Sequence, residues 1–350
     1  MSGIKGPAVF LAQFLRDEKP YNNLKNIGKW VSGLGYKGVQ IPVWDPRVID
    51  LDKAAESRAY CDDLKATLSD SGLEATELAA HLAGQVLAVG PAYELAFEGF
   101  YPEGLRGKER EEWAAGELEK SIKASVNLGL TAIPAMTGGF AWHMIYPWPQ
   151  RPPGLIEESF KELARLWRPL LDTAKDNGVN FAYELHPGSD VYDGATFEMF
   201  LEYTDGHEAV CINYDPSHFL LQQLDYCEFI KLYGDRITAF HVKDAEFRPT
   251  GRVGVYGGYQ GWTGRAARFR SLGDGQVDFN RVFTLLTEAG YRSWAVLEWE
   301  CCVKSPEQGA AEGAPFIAGH IIDATEVAFD DFAGGETDTA KVRKILGLDR

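Results

Sequence analysis

One phrase, repeated seven times, limits what this chain can fold into: a helical stretch, a glycine, then a short apolar run. The glycines are Gly35, Gly72, Gly129, Gly178, Gly206, Gly234 and Gly290. A glycine just past a helix takes the left-handed conformation without a Cβ clash, so each one marks a helix end. The runs that follow are apolar without clean alternation, as in strands of a parallel sheet covered on both faces. Residues 8–14 (AVFLAQF) supply an opening strand, which brings the total to eight. Strands alternating with helices read as βα units, and eight units close into a (β/α)8 TIM barrel. An open doubly wound sheet is the alternative. It is disfavoured because Gln13-Phe14-Leu15-Arg16 follows the first strand, where that fold carries a glycine-rich phosphate loop.

Helices are expected at residues 22–34, 52–71, 108–127, 156–176 and 279–289, with shorter units before Gly206 and Gly234. Three connections exceed what a bare barrel needs: 83–107 after strand three, 137–153 after strand four and 245–275 after strand seven. All follow strands, so they crowd the carboxyl face where barrel active sites form. Past Cys302, residues 304–319 read as irregular, 321–332 as the eighth barrel helix and 341–348 as a terminal helix. No linker or low-complexity tract interrupts residues 1–350, so a single domain is expected.

Four strands end on groups that make a poor core and a good site. Residues 181–187 (FAYELHP) carry Glu184, 211–218 (CINYDPSH) carry Asp215, 238–244 (TAFHVKD) carry His241 and 295–300 (AVLEWE) carry Glu298. Pro216 cannot continue a central strand, so Asp215 is left at the strand's carboxyl end, on the face it shares with Asn213. A lone strand-end acid reads as a cap for the next helix. Four such groups on consecutive strands instead converge on the barrel axis. Three carboxylates and one imidazole form a hard, mostly oxygen donor set, which suits Mn2+, Mg2+ or Co2+ better than Zn2+.

Composition narrows the partners. A formal charge of −16 puts nucleic acid and anionic membranes at a disadvantage. Five cysteines, an odd number with no CxxC, suit free thiols in a reducing compartment and offer no structural zinc pair. Neither a signal-peptide core near Met1 nor a run of membrane-spanning length is present, so a cytoplasmic protein is expected.

Glu184, Asp215-Pro216-Ser217-His218, His241-Val242-Lys243-Asp244 and Glu298 resemble the xylose-isomerase-like barrel superfamily. Within it they look most like the sugar phosphate isomerase/epimerase proteins, which include ketose 3-epimerases and inosose dehydratases. The resemblance is strongest over residues 181–300. It implies that Glu184, Asp215, His241 and Glu298 bind one divalent metal, with Mn2+ the first choice. It also implies that Glu184 and Glu298 serve as the acid/base pair on opposite faces of the substrate. His218 and Arg270, the latter in Arg270-Ser271-Leu272-Gly273-Asp274-Gly275, are implied to touch substrate oxygens.

The chemistry agrees from the residues up. A cation bridging a carbonyl and its neighbouring hydroxyl acidifies the C–H between them and stabilises the enediolate. One glutamate removes the proton and the other returns one on the opposite face. The expected activity is that of a metal-dependent sugar isomerase or epimerase acting on a small sugar or keto-sugar. A dehydratase or lyase acting on an inosose or 3-keto-glycoside is the alternative with the same site. From other classes, a catalytically silent sugar-binding barrel stays open. An abasic-site endonuclease is disfavoured by the acidic charge and the few strand-end histidines.

Further candidates lie nearby. His186 shares a face with Glu184, either touching substrate or capping a helix; Lys243 shares one with His241, either touching substrate or paired with an acid. Trp142 and His143, in the loop after strand four, are candidate substrate contacts, and Glu300 is a reserve acid. His81 ends strand three and is open between pocket and surface; Trp44 and Trp148 could stack on a sugar or pack. Arg248, Arg252, Arg265, Arg268 and Arg270 form the one basic run, over a substrate or against solvent. The long loops suit a larger or glycosylated substrate, or a partner subunit in a homo-oligomer.

Overall fold

The computed structural model describes residues 3–257, 259–324 and 338–348. Eight parallel strands form one curled sheet: β1 (Lys5–Phe10), β2 (Gly38–Pro42), β3 (Glu74–Ala79), β4 (Ala132–Ala135), β5 (Asn180–Glu184), β6 (Val210–Tyr214), β7 (Ile237–Val242) and β10 (Trp294–Leu297). Between β7 and β10, β8 (Asp244–Phe247) and β9 (Ala267–Arg270) pair as a separate antiparallel hairpin.

β1 pairs with both β2 and β10, so the first and last barrel strands meet. The remaining seam lies between β3 and β4, where Ala80 N–H donates to Pro134 O at 2.8 Å. In a strand, a residue's N–H and C=O point the same way, so the donor that Pro134 lacks would have faced this seam. That is where a proline costs a parallel sheet least. The expected (β/α)8 barrel is the fold.

Six of the seven marker glycines have positive φ; Gly234 does not, lying at φ −58° at the start of a short 3-10 turn. The expected helix at 52–71 is two helices, Leu51–Glu56 and Arg58–Ser69. Ser57 divides them, its side chain capping the second through Tyr60 N.

The C-terminal expectation needs correcting. Residues 304–319 are not irregular: Pro306–His320 is a helix, packed on β1 and β10 as the eighth barrel helix. Its glycines and alanines discourage a helical reading, yet they are what the packing requires. A Cβ at Gly309 would lie 1.8 Å from Trp299 Nε1, and one at Gly313 would lie 2.6 Å from the Tyr36 hydroxyl. Of the helix expected at 321–332, residues 321–324 are non-helical and the rest lie outside the described residues. The terminal helix is present as Thr339–Ile345. Gly309→Ala is expected to displace Trp299 and cost about 1–3 kcal/mol, read as a lower thermal midpoint. An unchanged midpoint would mean the helix shifts freely.

The barrel interior is layered. Ala132, Ala182 and Ala239 from β4, β5 and β7 form one small apolar layer, and Ala8, Phe10, Ala79, Trp294 and Val296 form a bulkier one. Buried polar groups share this interior: Gln40, Glu77, Asn213 and His241 are each no more than 1% exposed. Each long loop is pinned by a buried charge. Arg110 holds 83–107 through Glu94 (2.7 Å) and Val86 O (3.0 Å). Asp190 accepts from Phe140 N (2.8 Å) and Ala141 N (3.0 Å) in 137–153, and from Ser159 Oγ (2.6 Å) in the helix that follows. Glu246 on β8 accepts from Arg268 (2.6 Å) and Arg270 (2.7 Å) on β9.

Candidate functional site

The βα register brings the four strand-end groups together. Glu184 closes β5, Asp215 follows β6, His241 is the penultimate residue of β7 and Glu298 follows β10. All four are buried, and one donor atom from each lies within 4.8 Å of the others. His241 bridges the two glutamates, its Nδ1 lying 3.0 Å from Glu298 Oε2 and 3.7 Å from Glu184 Oε2. Gln13 Nε2 holds Glu298 Oε1 at 3.2 Å.

Asp215 divides its carboxylate between two tasks. Oδ1 accepts Ser217 N–H at 2.8 Å and caps the helix Pro216–Leu221. Oδ2 is buried without a hydrogen-bond partner, although His218 Nε2 lies 3.3 Å away, out of line, and Lys243 Nζ lies 3.7 Å away, beyond hydrogen-bond reach. The helix-cap reading and the site reading of this residue are both realised. A buried carboxylate oxygen left over in a ring of hard donors is what a divalent cation would satisfy. The donor set fits such an ion.

His218, expected in a loop, is on that short helix; its Nε2 donates to Glu184 Oε1 at 2.9 Å. His81, left undecided from sequence, is buried with Nε2 2.9 Å from Glu184 Oε2, though out of line for a hydrogen bond. Lys243 lies among acids: Nζ is 3.0 Å from Glu300, 3.1 Å from Glu298 and 4.4 Å from the Phe269 ring centre. Of its two sequence readings, the ion pair is directly visible. His186 packs its ring 4.2 Å from that of His218 and donates Nδ1–H to Pro187 O at 2.6 Å.

Electrostatics follow from this crowding. Burial works against charge on every group here, yet the acids and cations hold one another ionised. Glu184 sits well below the usual carboxylate range because His218 and His81 outweigh its burial, and Glu298 is lowered by Lys243 and His241 against burial and Glu184. Burial disfavours the imidazoliums, but Asp215 and Glu184 raise His218 to about 9, and Glu298 raises His241 to about 9. Burial and the charges of His218 and Lys243 instead push His186 down to about 3, so it is neutral at pH 7.

The sign for stability is direct. Unfolded histidines titrate near 6.5. Groups raised to about 9 in the fold contribute stability that is full below pH 6.5 and lost as pH rises through 9. The metal-free protein is therefore expected to lose about 5 °C or more of thermal midpoint between pH 6 and pH 10, measured by calorimetry in chelator. A flat profile would mean both imidazoles are neutral.

Arg270 is held by Glu246, with Asp274 at 4.0 Å, at the base of the hairpin. Trp142 packs edge-on against Tyr192 at 5.0 Å, and exposed His143 lies against Tyr93 at 6.2 Å; both belong to the outer loop layer. Trp44 lies edge-on to Phe10 and His81, and a cavity of about 430 Å³ opens behind it, lined by Phe100, Tyr101 and Trp113. That cavity stands beside the chemistry, not over it. Sequence reasoning missed Gln13, Gln40, Glu77 and Glu246. The signal for the two on β2 and β3 was a polar residue inside an apolar strand run.

All five cysteines are free, and among the described residues no helix is long and apolar enough to cross a membrane. Comparison with known proteins places the chain. An inosose dehydratase of Geobacillus thermodenitrificans is 29% identical over 148 residues, 42% of this chain and 49% of that protein. The chain thus spans about half the length of the curated relatives it matches. Two solved structures share the fold. A 3-keto-D-glucoside 4-epimerase from E. coli has TM-score 0.60 and 15% identity, over 89% of this chain and 98% of that one. A xylose isomerase-like TIM barrel protein from Mycobacterium smegmatis, in complex with magnesium, has TM-score 0.61 and 16% identity, over 91% and 96%. A family profile described as xylose isomerase-like TIM barrel matches residues 29–320, and the chain belongs to that family.

Proposed function

We propose that this protein is a divalent-metal-dependent sugar isomerase or epimerase that moves a proton next to a carbonyl. The observation that carries the reading is the four-residue cluster, closed to within 4.8 Å and containing an unpartnered Asp215 oxygen. Glu184, Asp215, His241 and Glu298 would hold the cation, proposed as Mn2+ with Mg2+ or Co2+ as substitutes, from their hard oxygen character. When bound, the cation supplies positive charge against the carbonyl oxygen and its neighbouring hydroxyl.

The chain's own groups do the rest. Glu184 and Glu298 are ionised, as proton acceptors must be, and they approach from strands on different sides of His241. One takes the substrate proton, and the other, once it has drawn a proton from water, delivers that proton to the opposite face. His218 as imidazolium and Lys243 as ammonium face the same space and would steady oxygen atoms that gain charge. Neutral His186 lies behind His218 as a hydrogen-bonding contact. Arg270, Trp142 and His143 are proposed as outer contacts to a sugar or keto-sugar.

A second reading, dehydration of an inosose or elimination from a 3-keto-glycoside, draws on the curated relatives named inosose dehydratases. The same proton abstraction then ends with departure of a leaving group. One experiment separates the readings: the Mn2+-loaded protein is incubated in deuterated water with ketoses, inososes and 3-keto-glycosides. Deuterium at a carbon next to the carbonyl with an epimer or isomer as product supports the first reading. An unsaturated product supports the second. No metal uptake and no exchange would sink both.

A further inference from the structure

Across the barrel interior runs a chain of three buried side chains that the acid/base chemistry leaves unused. His241 Nε2 lies 2.9 Å from Gln40 Oε1, and Gln40 Nε2 donates to Glu77 Oε2 at 3.2 Å. The three come from β7, β2 and β3, and none is more than 1% exposed. The other ring nitrogen, Nδ1, faces the glutamates of the cluster.

An amide oxygen only accepts, so Gln40 Oε1 requires a proton on His241 Nε2. Nδ1, which in the metal-free protein donates to Glu298 Oε2 at 3.0 Å, is then the nitrogen that gives up its proton to a cation. A flipped Gln40 amide would do the reverse, presenting N–H to Nε2 and moving the ring proton to Nδ1. Glu77 prevents the flip by accepting the amide N–H at the far end. An ionised Glu77 can only accept and so forbids the flip; a neutral one still accepts through its carbonyl oxygen but can also donate, so the lock is strongest when Glu77 is charged. Asn213 Nδ2 lies 3.2 and 3.3 Å from the two ring nitrogens and so selects neither. Phe10, stacked at 5.8 Å and 25°, fixes the ring plane but not the tautomer.

We propose that Gln40, locked by Glu77, is a positioning pair that sets His241 as the Nε2–H tautomer and presets Nδ1 as the ligand atom. The pair rests on the metal-centre reading above. A histidine ligand whose outer N–H is anchored binds metal more tightly, and loss of such an anchor costs about 10–100-fold in affinity.

Two measurements test it. Long-range proton–nitrogen NMR of the Mg2+-loaded protein, with His241→Gln to assign the ring among the 7 histidines, should show the proton on Nε2. Calorimetric titration with Mn2+ should show Gln40→Leu weakened by about 10–100-fold. Glu77→Gln, whose amide can donate as well as accept and so no longer blocks the flip, should weaken Mn2+ binding by less than Gln40→Leu does, because the anchor is kept in part. A proton on Nδ1 in the Mg2+-loaded wild type overturns the proposal, whether or not Gln40→Leu folds. So does unchanged Mn2+ affinity in a folded Gln40→Leu. If the wild type binds neither ion, the metal-centre reading fails and the pair fails with it; a wild type that binds normally isolates failure to the pair.

Discussion

Glu184→Gln and Glu298→Gln are each expected to lower interconversion of substrate epimers by about 10²–10⁴-fold, the usual contribution of a positioned proton-transfer group. Gln keeps the shape and one ligand oxygen, so Mn2+ uptake should survive far better than turnover. The two variants should also differ from each other. With one base intact, the enzyme can still exchange the C–H of the epimer which that base faces, but it cannot deliver a proton to the other side. Each variant is therefore expected to exchange deuterium into one epimer only, and a different one. Both glutamates are held ionised, Glu184 by His218 and His81 and Glu298 by Lys243 and His241, so the missing charge is the defect being read. Near-normal interconversion by either variant would remove that residue from the chemistry.

Lys243→Met should give the largest change in stability. The ammonium is 2% exposed and serves Glu298, Glu300 and Asp215 at 3.1, 3.0 and 3.7 Å. Burial opposes its charge, yet these acids hold its pKa well above the usual lysine value. Removing one partner of a buried ion pair costs about 3–5 kcal/mol, because the remaining charges lose their compensation. Methionine can follow the lysine stem past Phe269, so packing is largely kept. Metal-free Lys243→Met is expected to melt roughly 4–7 °C below wild type. Saturating Mn2+ should return part of the difference, since a cation among the same acids does the electrostatic work of the lysine. A variant that melts with wild type in chelator would mean that the acids are protonated instead.

The barrel was legible because its signal is local. A glycine that ends a helix and an apolar run that follows it declare themselves within about ten residues, and the pattern recurs around the barrel. Where the cue was not local, the reading failed. Gly234 precedes a strand like the others, but it sits in a right-handed turn. Pro306–His320 looks unlike a helix because its glycines answer to Trp299 and Tyr36, which are distant in sequence. His218 was read as loop because a helix of six residues, Pro216–Leu221, carries too little periodicity to show.

The site divides the same way. Glu184, Asp215, His241 and Glu298 stand out from the sequence because a charged group closing an apolar strand is conspicuous by itself, and four in succession on a barrel must converge. Which group each one meets was not in the sequence. Gln13, Gln40, Glu77 and His81 come from the first three βα units, more than 100 residues before Glu184 in every case. Only the pairing of β1 with β10 and the curl of the sheet carry them across to the last four strands. Strand chemistry is therefore set by neighbours along the chain, and the type of each ligand could be read there. Protonation, tautomer and ion pairing are set by neighbours across the barrel, so they were decided only when it closed.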